Sequence, residues 1–434
     1  MRKILLAGVA TVAMTGVAAA AGLEPNLGTS SGGGAAGIMG SAAPGKSIVR
    51  LDGYVFFAAG FATNSLDKAP NGAKSDSFGF LNTFRLFPSF DAQTPGGLRY
   101  GAFAEIRSNT NSAAATALGG AQVGGGNQRG TNTLNVNRAW GYVGTDQLGR
   151  LQFGQVDGVT SIMRTGTFEG QIADGGWNGW APIMTTGVNP WRFLASGGDQ
   201  ATKVNYTSPI WSGFQVGLSF APSSASNVTG YGAAVAGGGA VRQSASILGT
   251  DIARPRNMFQ AAARYTGTFG GVGTQVNVGY VGSSAIQNVN IGGVTNRGLS
   301  VFSTGATVSY MGFMVGGYME TGTHNGAQTL LAPGEKSAMT YTLGASYTNG
   351  PWVAGLGYVN SRTAGFLGNR NQRTDSGWHA GVTYAYVPGA RLFVELVTGT
   401  AKENGRNLSN DILPAGRTKE INSTAIILGN SFRW

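Results

Sequence analysis

The chain carries few of the side chains on which catalysis or metal binding usually depends. Its 434 residues include no cysteine and two histidines, His324 and His379. His324 falls in a long predicted loop and His379 on the polar face of a predicted strand, and neither has companions at catalytic or metal-ligand spacing. We therefore expect both to be solvated side chains, and we expect no metal, no cofactor and no enzymatic activity.

One short motif imitates a phosphate-binding loop. Gly40 is followed, after four residues, by Gly45-Lys46-Ser47. Such a loop holds phosphate only where it joins a strand to the N-terminus of a helix. Here a Gly-, Ala- and Ser-rich stretch precedes the motif and a strand-like pattern follows it. Composition alone therefore explains the match.

The N-terminus has the pattern of a secretory signal peptide. Arg2 and Lys3 precede a short apolar stretch at 4–14, and a run of alanines that begins at Ala18 offers a cleavage site. The apolar stretch is too short to span a membrane as a helix. We expect export through the general secretory route and no linker within the folded part. The expected units are a signal peptide at 1–21, a flexible leader at 22–46 and one β-barrel at 47–434.

The charged side chains are sparse and scattered. Asp, Glu, Lys and Arg make up 11% of the chain, less than half of the usual share. The formal charge is +11, and removal of Arg2 and Lys3 lowers it to +9. Scattered basic residues in an exported chain argue against nucleic acid as a partner. They suit solvated loops, contact with lipopolysaccharide, or a positively biased pore.

The last nine residues alternate between two kinds of side chain. One parity holds Ile426, Leu428, Phe432 and Trp434, and the other holds Ala425, Gly429, Ser431 and Arg433. Period-two alternation is typical of a strand with a different solvent on each face. Because it runs to a terminal tryptophan, it predicts closure of a barrel whose outer surface meets lipid.

The same alternation recurs along the chain, and no run of about 18 apolar residues follows the signal peptide. We predict sixteen strands, an even number as single-chain bacterial barrels require. Short connections alternate with long ones, which predicts an all-β, up-and-down antiparallel transmembrane barrel with tight periplasmic turns and long extracellular loops. The predicted strands are about 48–63, 77–91, 97–108, 133–144, 148–156, 202–208, 213–221, 257–267, 272–282, 300–310, 312–321, 338–348, 352–361, 376–386, 390–399 and 420–434.

Aromatic residues near the predicted strand ends favour lipid as the outer solvent. Girdles of aromatic rings at both membrane interfaces are typical of outer-membrane barrels. In a soluble sheet the same rings would form a core. The candidates for the girdle are Phe220, Tyr265, Tyr280, Tyr310, Tyr347 and Tyr386.

Several short stretches occur in the order and spacing of a known family. They are 48–54, 138–144, 148–155, 206–209 with Gly213-Phe214, and the terminal aromatic. In these stretches the chain resembles the Gram-negative general diffusion porins. The resemblance implies a sixteen-stranded outer-membrane barrel, a homotrimer, and a third loop, at about 157–201, that folds inward to narrow the pore. It also implies that 109–132, rich in Gly, Ala and Asn, lies at the position of the subunit latch.

The family resemblance also implies which side chains constrict the pore. Family members place basic residues on the wall opposite carboxylates on loop 3, and the transverse field sorts solutes by charge and size. Arg85 and Arg138 match wall arginines, and Lys203 replaces a third. Tyr54 departs from the family, since many members have a basic residue there. On loop 3 the acidic candidates are Glu169, within Phe168-Glu169-Gly170, and Asp174.

Side-chain parity tests these candidates independently. Arg85 and Lys203 alternate with apolar neighbours, and therefore point inward. On the third strand the inward parity is shared by Arg99, Glu105 and Arg107. Arg138 shares its parity with Leu134 and Val136, so that a bulge or an interface position is needed to turn it inward. Alternatively, each of these charges keeps the lumen wet without defining selectivity.

We predict passive diffusion of small hydrophilic solutes and ions through a water-filled channel of the outer membrane. The expected partners are membrane lipid, lipopolysaccharide and two further copies of the chain, and the basic excess predicts weak anion preference. A substrate-specific channel is the nearest alternative, with Trp177, Trp180 and Trp191 of loop 3 as an aromatic slide. A structural or adhesive outer-membrane protein is the alternative from another class.

Overall fold

The structure, a computed structural model, consists almost entirely of β-strands in the part of the chain that it describes. The described residues are 42–65, 77–110, 132–168, 201–223, 253–287, 295–325, 330–365, 371–405 and 419–434. The strands are β1 (Lys46–Asn64), β2 (Phe78–Gln93), β3 (Arg99–Thr110), β4 (Asn132–Thr145), β5 (Gly149–Gln155), β6 (Thr202–Thr207), β7 (Phe214–Ser223), β8 (Ala253–Phe269), β9 (Val272–Gln287), β10 (Ser300–Tyr310), β11 (Phe313–Thr323), β12 (Ala338–Asn349), β13 (Trp352–Thr363), β14 (Arg373–Val387), β15 (Ala390–Glu403) and β16 (Glu420–Arg433).

These strands close into one barrel. Each strand pairs antiparallel with its neighbours in sequence, and β1 pairs with β16. At the seam Tyr54 lies opposite Arg433, and the backbone of Trp434 exchanges hydrogen bonds with Gly53. The ring of Trp434 covers Gly53, where a β-carbon would overlap it. The predicted sixteen-stranded up-and-down barrel is therefore confirmed.

The two faces of each strand carry different side chains. In β1 the apolar side chains of Val49, Leu51, Phe57 and Phe61 are exposed on the outer face, whereas Tyr54 on the inner face is buried. Because water would penalise so continuous an apolar band, the outer surface requires lipid. The predicted girdle residues lie on this outer face: Phe220 and Tyr280 toward the long loops, and Tyr265, Tyr310, Tyr347 and Tyr386 toward the short turns.

The short turns close the strands with little chain. Gly270 and Gly271 connect β8 to β9 with φ of +57° and +85°. Two successive positive φ values are typical of the type I′ turn, whose twist matches that of antiparallel strands. Met311-Gly312 connects β10 to β11 in the same way, with φ of +46° and +84°.

Several strands extend beyond their predicted ends. β9 continues to Gln287 and β8 begins at Ala253, because the backbone ladder persists where the apolar alternation has stopped. β1 begins at Lys46, so that Gly45-Lys46-Ser47 runs into a strand and not into a helix. The described residues contain one short helix, α1 (Val159–Ile162). Among the described residues, no helix has the length and apolarity that crossing a bilayer demands.

Candidate functional site

A β-bulge turns Arg138 into the lumen. The register between β3 and β4 passes from Glu105 opposite Arg138 to Ile106 opposite Val136, which leaves Asn137 as the extra residue. One extra residue reverses the facing of every side chain beyond it. Leu134 and Val136 are therefore exposed on the outer face, while Arg138 is buried on the inner one. The bulge that the sequence required for an inward Arg138 is present.

Glu105 lies at the centre of a charged cluster on the inner wall. Its Oε1 is 3.4 Å from Nη1 of Arg85 and 3.2 Å from Nη2 of Arg107. Its Oε2 accepts hydrogen bonds from Nη1 of Arg138 and, at 3.0 Å, from Nδ2 of Asn137. Removing one partner from such a buried group of charges is costly, about 3–5 kcal/mol, because the remaining charges stay desolvated.

Asp157, the first residue of loop 3, completes this cluster. Its Oδ2 and Oδ1 accept hydrogen bonds from Nε and Nη2 of Arg138 at 3.0 and 3.1 Å. A bidentate pair of this kind fixes both the position and the direction of the guanidinium. We call Arg85, Glu105, Arg107, Arg138 and Asp157 the Glu105 cluster. With three arginines and two carboxylates, the formal charge of the Glu105 cluster is +1.

Two further predicted wall residues, Arg99 and Lys203, lie on the inner faces of β3 and β6. Arg99 faces the lumen eight residues before Arg107 on β3, and its Nε is 3.4 Å from Oδ1 of Asp146 in a short turn. At about 3.4 Å per residue the two arginines are roughly 27 Å apart along the strand. Lys203 is buried on the inner face of β6, opposite Gly154 on β5. Glu169 and Asp174 lie outside the described residues.

The first part of loop 3 runs along the inner wall of the barrel. We call residues 157–168 the loop 3 entry segment. Successive hydrogen bonds join it to inward side chains of β6, β7, β8, β9 and β12: Asp157 to Asn205, Val159 to Ser219, Thr160 to Gln260, Thr165 to Asn277 and Thr167 to Thr342. The loop 3 entry segment therefore crosses much of the wall from the inside.

Inward glycines make room for this segment. A β-carbon at Gly217 would lie 2.8 Å from the Met163 side chain and 2.9 Å from that of Val159. At the far end the ring of Phe168 occupies the space where Gly344 of β12 lacks a side chain. Phe168 is fully buried and has a φ of +55°, a conformation that bulky residues rarely adopt. The Phe168–Gly344 contact therefore anchors the end of the loop 3 entry segment to β12.

Comparison with known families decides the identity of the fold. Residues 7–404 match the family model described as Gram-negative porin. The chain belongs to the Gram-negative porin family. The porin is therefore an outer-membrane protein whose barrel forms a diffusion channel. No functionally curated protein is significantly similar to it in sequence.

Solved porin structures share the fold at low sequence identity. The anion-selective porin of Comamonas acidovorans matches with a TM-score of 0.53 and 14% identity, over 90% of this chain and 100% of that one. A variant of the Rh. blastica porin matches with a TM-score of 0.53 and 12% identity, over 89% of this chain and 100% of that one. The outer membrane channel DcaP of Acinetobacter baumannii matches with a TM-score of 0.54 and 12% identity, over 91% of this chain and 100% of that one. These likenesses show a common barrel architecture.

The expectation that both histidines of the porin are solvated is wrong. His324 and His379 are both buried. Nδ1 of His379 is 3.3 Å from Oε1 of Glu395 inside the barrel. Nε2 of His324, just beyond β11, is 3.8 Å from Oε1 of Glu320. Burial lowers the pKa of His324 to about 4, because the charged imidazole would lose its hydration.

Sequence reasoning missed two features of the porin site. Glu105 had the correct parity, but its position between three arginines depends on pairing with strands on both sides of β3. The sequence predicts that loop 3 begins at about residue 157, but it does not single out Asp157 as a site residue. In the structure Asp157 lies two residues after the end of β5, which keeps it close to the wall. A carboxylate so near the start of loop 3 was the available signal.

Proposed function

We propose that the Glu105 cluster and loop 3 form the constriction of a water-filled pore through which small hydrophilic solutes and ions diffuse passively. The observation that carries this proposal is the bidentate contact between Asp157 and Arg138. It sets a loop 3 carboxylate against a wall arginine, which is the arrangement that the family resemblance implies. Arg85, Arg107 and Arg138 are its basic side.

The course of the loop 3 entry segment supports a narrowed lumen. Twelve residues of additional chain lie against the inner wall between β6 and β12, held by hydrogen bonds to at least five strands. Any solute must pass beside them. The acidic roles of Glu169 and Asp174, and the contribution of Lys203 and Arg99 to solute passage, are part of the same proposal.

Weak anion preference follows from the charge of the cluster. Arg107 is the most open of the three arginines, with 26% of its side chain exposed. An exposed guanidinium attracts anions and repels cations within about 8–10 Å in physiological salt. One of the similar solved structures is an anion-selective porin. Reversal potentials of single channels in a salt gradient test this proposal, and clear cation preference would overturn it.

We further propose that the protein catalyses no reaction. His379 lies against Glu395 with both side chains inaccessible to solvent, so that neither can reach a solute in the lumen. Passive transport needs no turnover. Solute flux into liposomes should therefore be linear in concentration and leave the solute chemically unchanged.

Assembly and processing belong to the same proposal. We propose that the signal peptide at 1–21 is removed, and that three copies assemble in lipid rich in lipopolysaccharide. The exposed apolar outer face supports contact with lipid and with further copies. The predicted latch at 109–132 falls mostly outside the described residues. The N-terminal mass of the purified protein and its molar mass in detergent test both statements.

A further inference from the structure

Two basic side chains lie on the outer face of the barrel, where most large side chains are apolar. Arg362 is at the long-loop end of β13 and Lys402 at that of β15, and both are exposed. They share the outward parity of Leu356 and Leu396 on the same strands. A cation on this face is costly at the bilayer midplane and tolerated near the interfaces. The height of the two cations therefore decides what surrounds them.

The strand register sets these two cations side by side. Thr374 on β14 lies opposite Arg362 on one side and opposite Lys402 on the other. Residues directly opposite in antiparallel strands face the same way, so that Thr374 also points outward. With neighbouring strands about 4.8 Å apart, the α-carbons of Arg362 and Lys402 are about 10 Å apart. We call Arg362, Thr374 and Lys402 the outer basic row. Two long side chains at this distance can both reach one group above Thr374.

An aromatic pair lies below the outer basic row. Tyr358 on β13 and Trp378 on β14 face outward, directly opposite each other, with ring centroids 4.7 Å apart. Such rings are typical of the girdle at the edge of the apolar band. Arg362 and Thr374 are each four residues away toward the long loops. Four residues of a strand tilted by about 40° rise roughly 10 Å. The outer basic row therefore lies in the polar layer of the outer leaflet.

The outer face becomes polar on the neighbouring strands at the same height. Leu396 on β15 and Ile426 on β16 are the last large apolar residues before the long loop that joins these strands. Toward that loop the outward residues of β15 and β16 with hydroxyl or amide groups are Thr398, Thr400, Asn422 and Thr424. The hydroxyl of Thr400 donates to Oδ1 of Asn422 at 2.6 Å. This part of the outer face therefore suits lipid head groups and not acyl chains.

The charges of the row favour an anion. Nζ of Lys402 is 3.7 Å from Oε2 of Glu420, its outward neighbour on β16, and both side chains are about half exposed. Among the described residues, no carboxylate lies within ion-pair distance of Arg362. Two cations thus face one carboxylate, which leaves a net positive charge on the lipid-facing side. A phosphate group in the polar layer supplies the missing counter-charge.

We propose that the outer basic row binds a phosphate group of lipopolysaccharide from the outer leaflet. The planar guanidinium of Arg362 suits two phosphate oxygens at once. The ammonium of Lys402 adds the second charge, and the hydroxyl of Thr374 donates from between them. The inference rests on the proposed residence of the porin in lipid rich in lipopolysaccharide, and it adds the place on the barrel where one such lipid is held.

Binding of lipopolysaccharide to the purified full-length porin in detergent tests this site. Arg362→Gln and Lys402→Gln should each raise the dissociation constant about fivefold, and the double variant about thirtyfold, because each basic residue near an anionic lipid contributes about that factor. Glu420→Gln should lower the dissociation constant, since Lys402 loses its competing partner. A merely destabilised barrel would not bind more tightly. The control Lys46→Gln removes an exposed cation at the short-turn end and should leave binding unchanged.

Two further probes identify the group that is bound. Dephosphorylated lipopolysaccharide should bind the unchanged porin as weakly as intact lipopolysaccharide binds the double variant. Inorganic phosphate at millimolar concentration should not compete, because it lacks the acyl chains that hold the lipid beside the aromatic pair. Competition by inorganic phosphate would assign the outer basic row to a free anion and overturn the lipid site.

The remaining outcomes separate the site from the wider proposal. Channel formation by each variant verifies folding. Equal affinity of the unchanged porin and the double variant for lipopolysaccharide would overturn the site, while the proposed lipid environment stands. The absence of measurable binding to the unchanged porin would overturn both. A lower molar mass of the double variant in detergent would assign the row to a contact between copies of the chain, and would also overturn the lipid site.

Discussion

The ring of Phe168 fills the position of the missing side chain at Gly344, and thereby ties loop 3 to β12. A methyl group at Gly344 would overlap that ring, so that Gly344→Ala should detach the end of the loop 3 entry segment. We expect a changed and noisier single-channel conductance, because the released loop samples several positions in the pore. Planar-bilayer recording measures this directly.

Two variants control for the anchor. Gly79→Ala alters a strand glycine with open space around it, and should leave the conductance unchanged. The double variant Gly344→Ala/Phe168→Gly removes the ring and also relieves the strain of the positive φ. The conductance noise should therefore decrease, and the conductance should settle at a single new level. A quiet, unchanged channel in Gly344→Ala would show that the anchor does not position loop 3.

The second prediction concerns the charge of the pore. Glu105→Gln leaves Arg85, Arg107 and Arg138 without their shared carboxylate, and raises the formal charge of the Glu105 cluster from +1 to +2. Anion preference should increase, as measured by the reversal potential in a salt gradient. The barrel should also lose about 3 kcal/mol of stability, because the arginines stay partly desolvated.

Glu420→Gln is the matched control for this change. Glu420 carries the same charge on β16, but it is largely exposed and pairs with Lys402 at 3.7 Å. Exposed pairs contribute only about 0–1 kcal/mol, and a rim charge is screened by salt. Equal shifts of selectivity in both variants would contradict a special role for Glu105.

The third prediction tests the bulge at Asn137. Deleting Asn137 makes β4 regular, which turns either Arg138 into lipid or Leu134 and Val136 into the lumen. We expect a much lower yield of folded barrel. On gels, the band of the folded barrel should be lost after heating to a lower temperature than for the unchanged protein. Asn137→Ala keeps the extra residue and loses one hydrogen bond to Glu105, so that its barrel should assemble normally.

The fourth prediction is an acid sensitivity centred on His324. Its pKa is about 4 in the folded barrel and about 6.5 in an unfolded chain. As the pH falls, the unfolded state binds the proton at a higher pH than the folded state does. The free energy of unfolding is therefore unaffected by His324 above pH 6.5, and it decreases as the pH drops toward 4. At pH 5 the loss is roughly 2 kcal/mol. Thermal unfolding in detergent at pH 7 and pH 5 measures it, and His324→Gln should reduce the difference between the two.

The sequence predicts those parts of the porin that depend on local alternation. The number of strands, the antiparallel order and the inward parity of Arg85 and Arg107 follow from the period of two. For Arg138 the sequence predicts only a conflict between its outward parity and its match to a wall arginine. The bulge that resolves this conflict is defined by the register with the neighbouring strand, which the sequence does not show. The burial of His379 depends on its neighbours on β13 and β15, and the place of Asp157 depends on the path of loop 3. Parity carries no information on either.

The seam between β1 and β16 has a consequence for biogenesis. It joins residues of the first and the last strand of the barrel, so that it can form only after β16 has been exported. Until then both terminal strands present unpaired edges, and each is a template for a foreign strand. Protection from misassembly in the periplasm is therefore most needed at these two edges until β1 and β16 have paired.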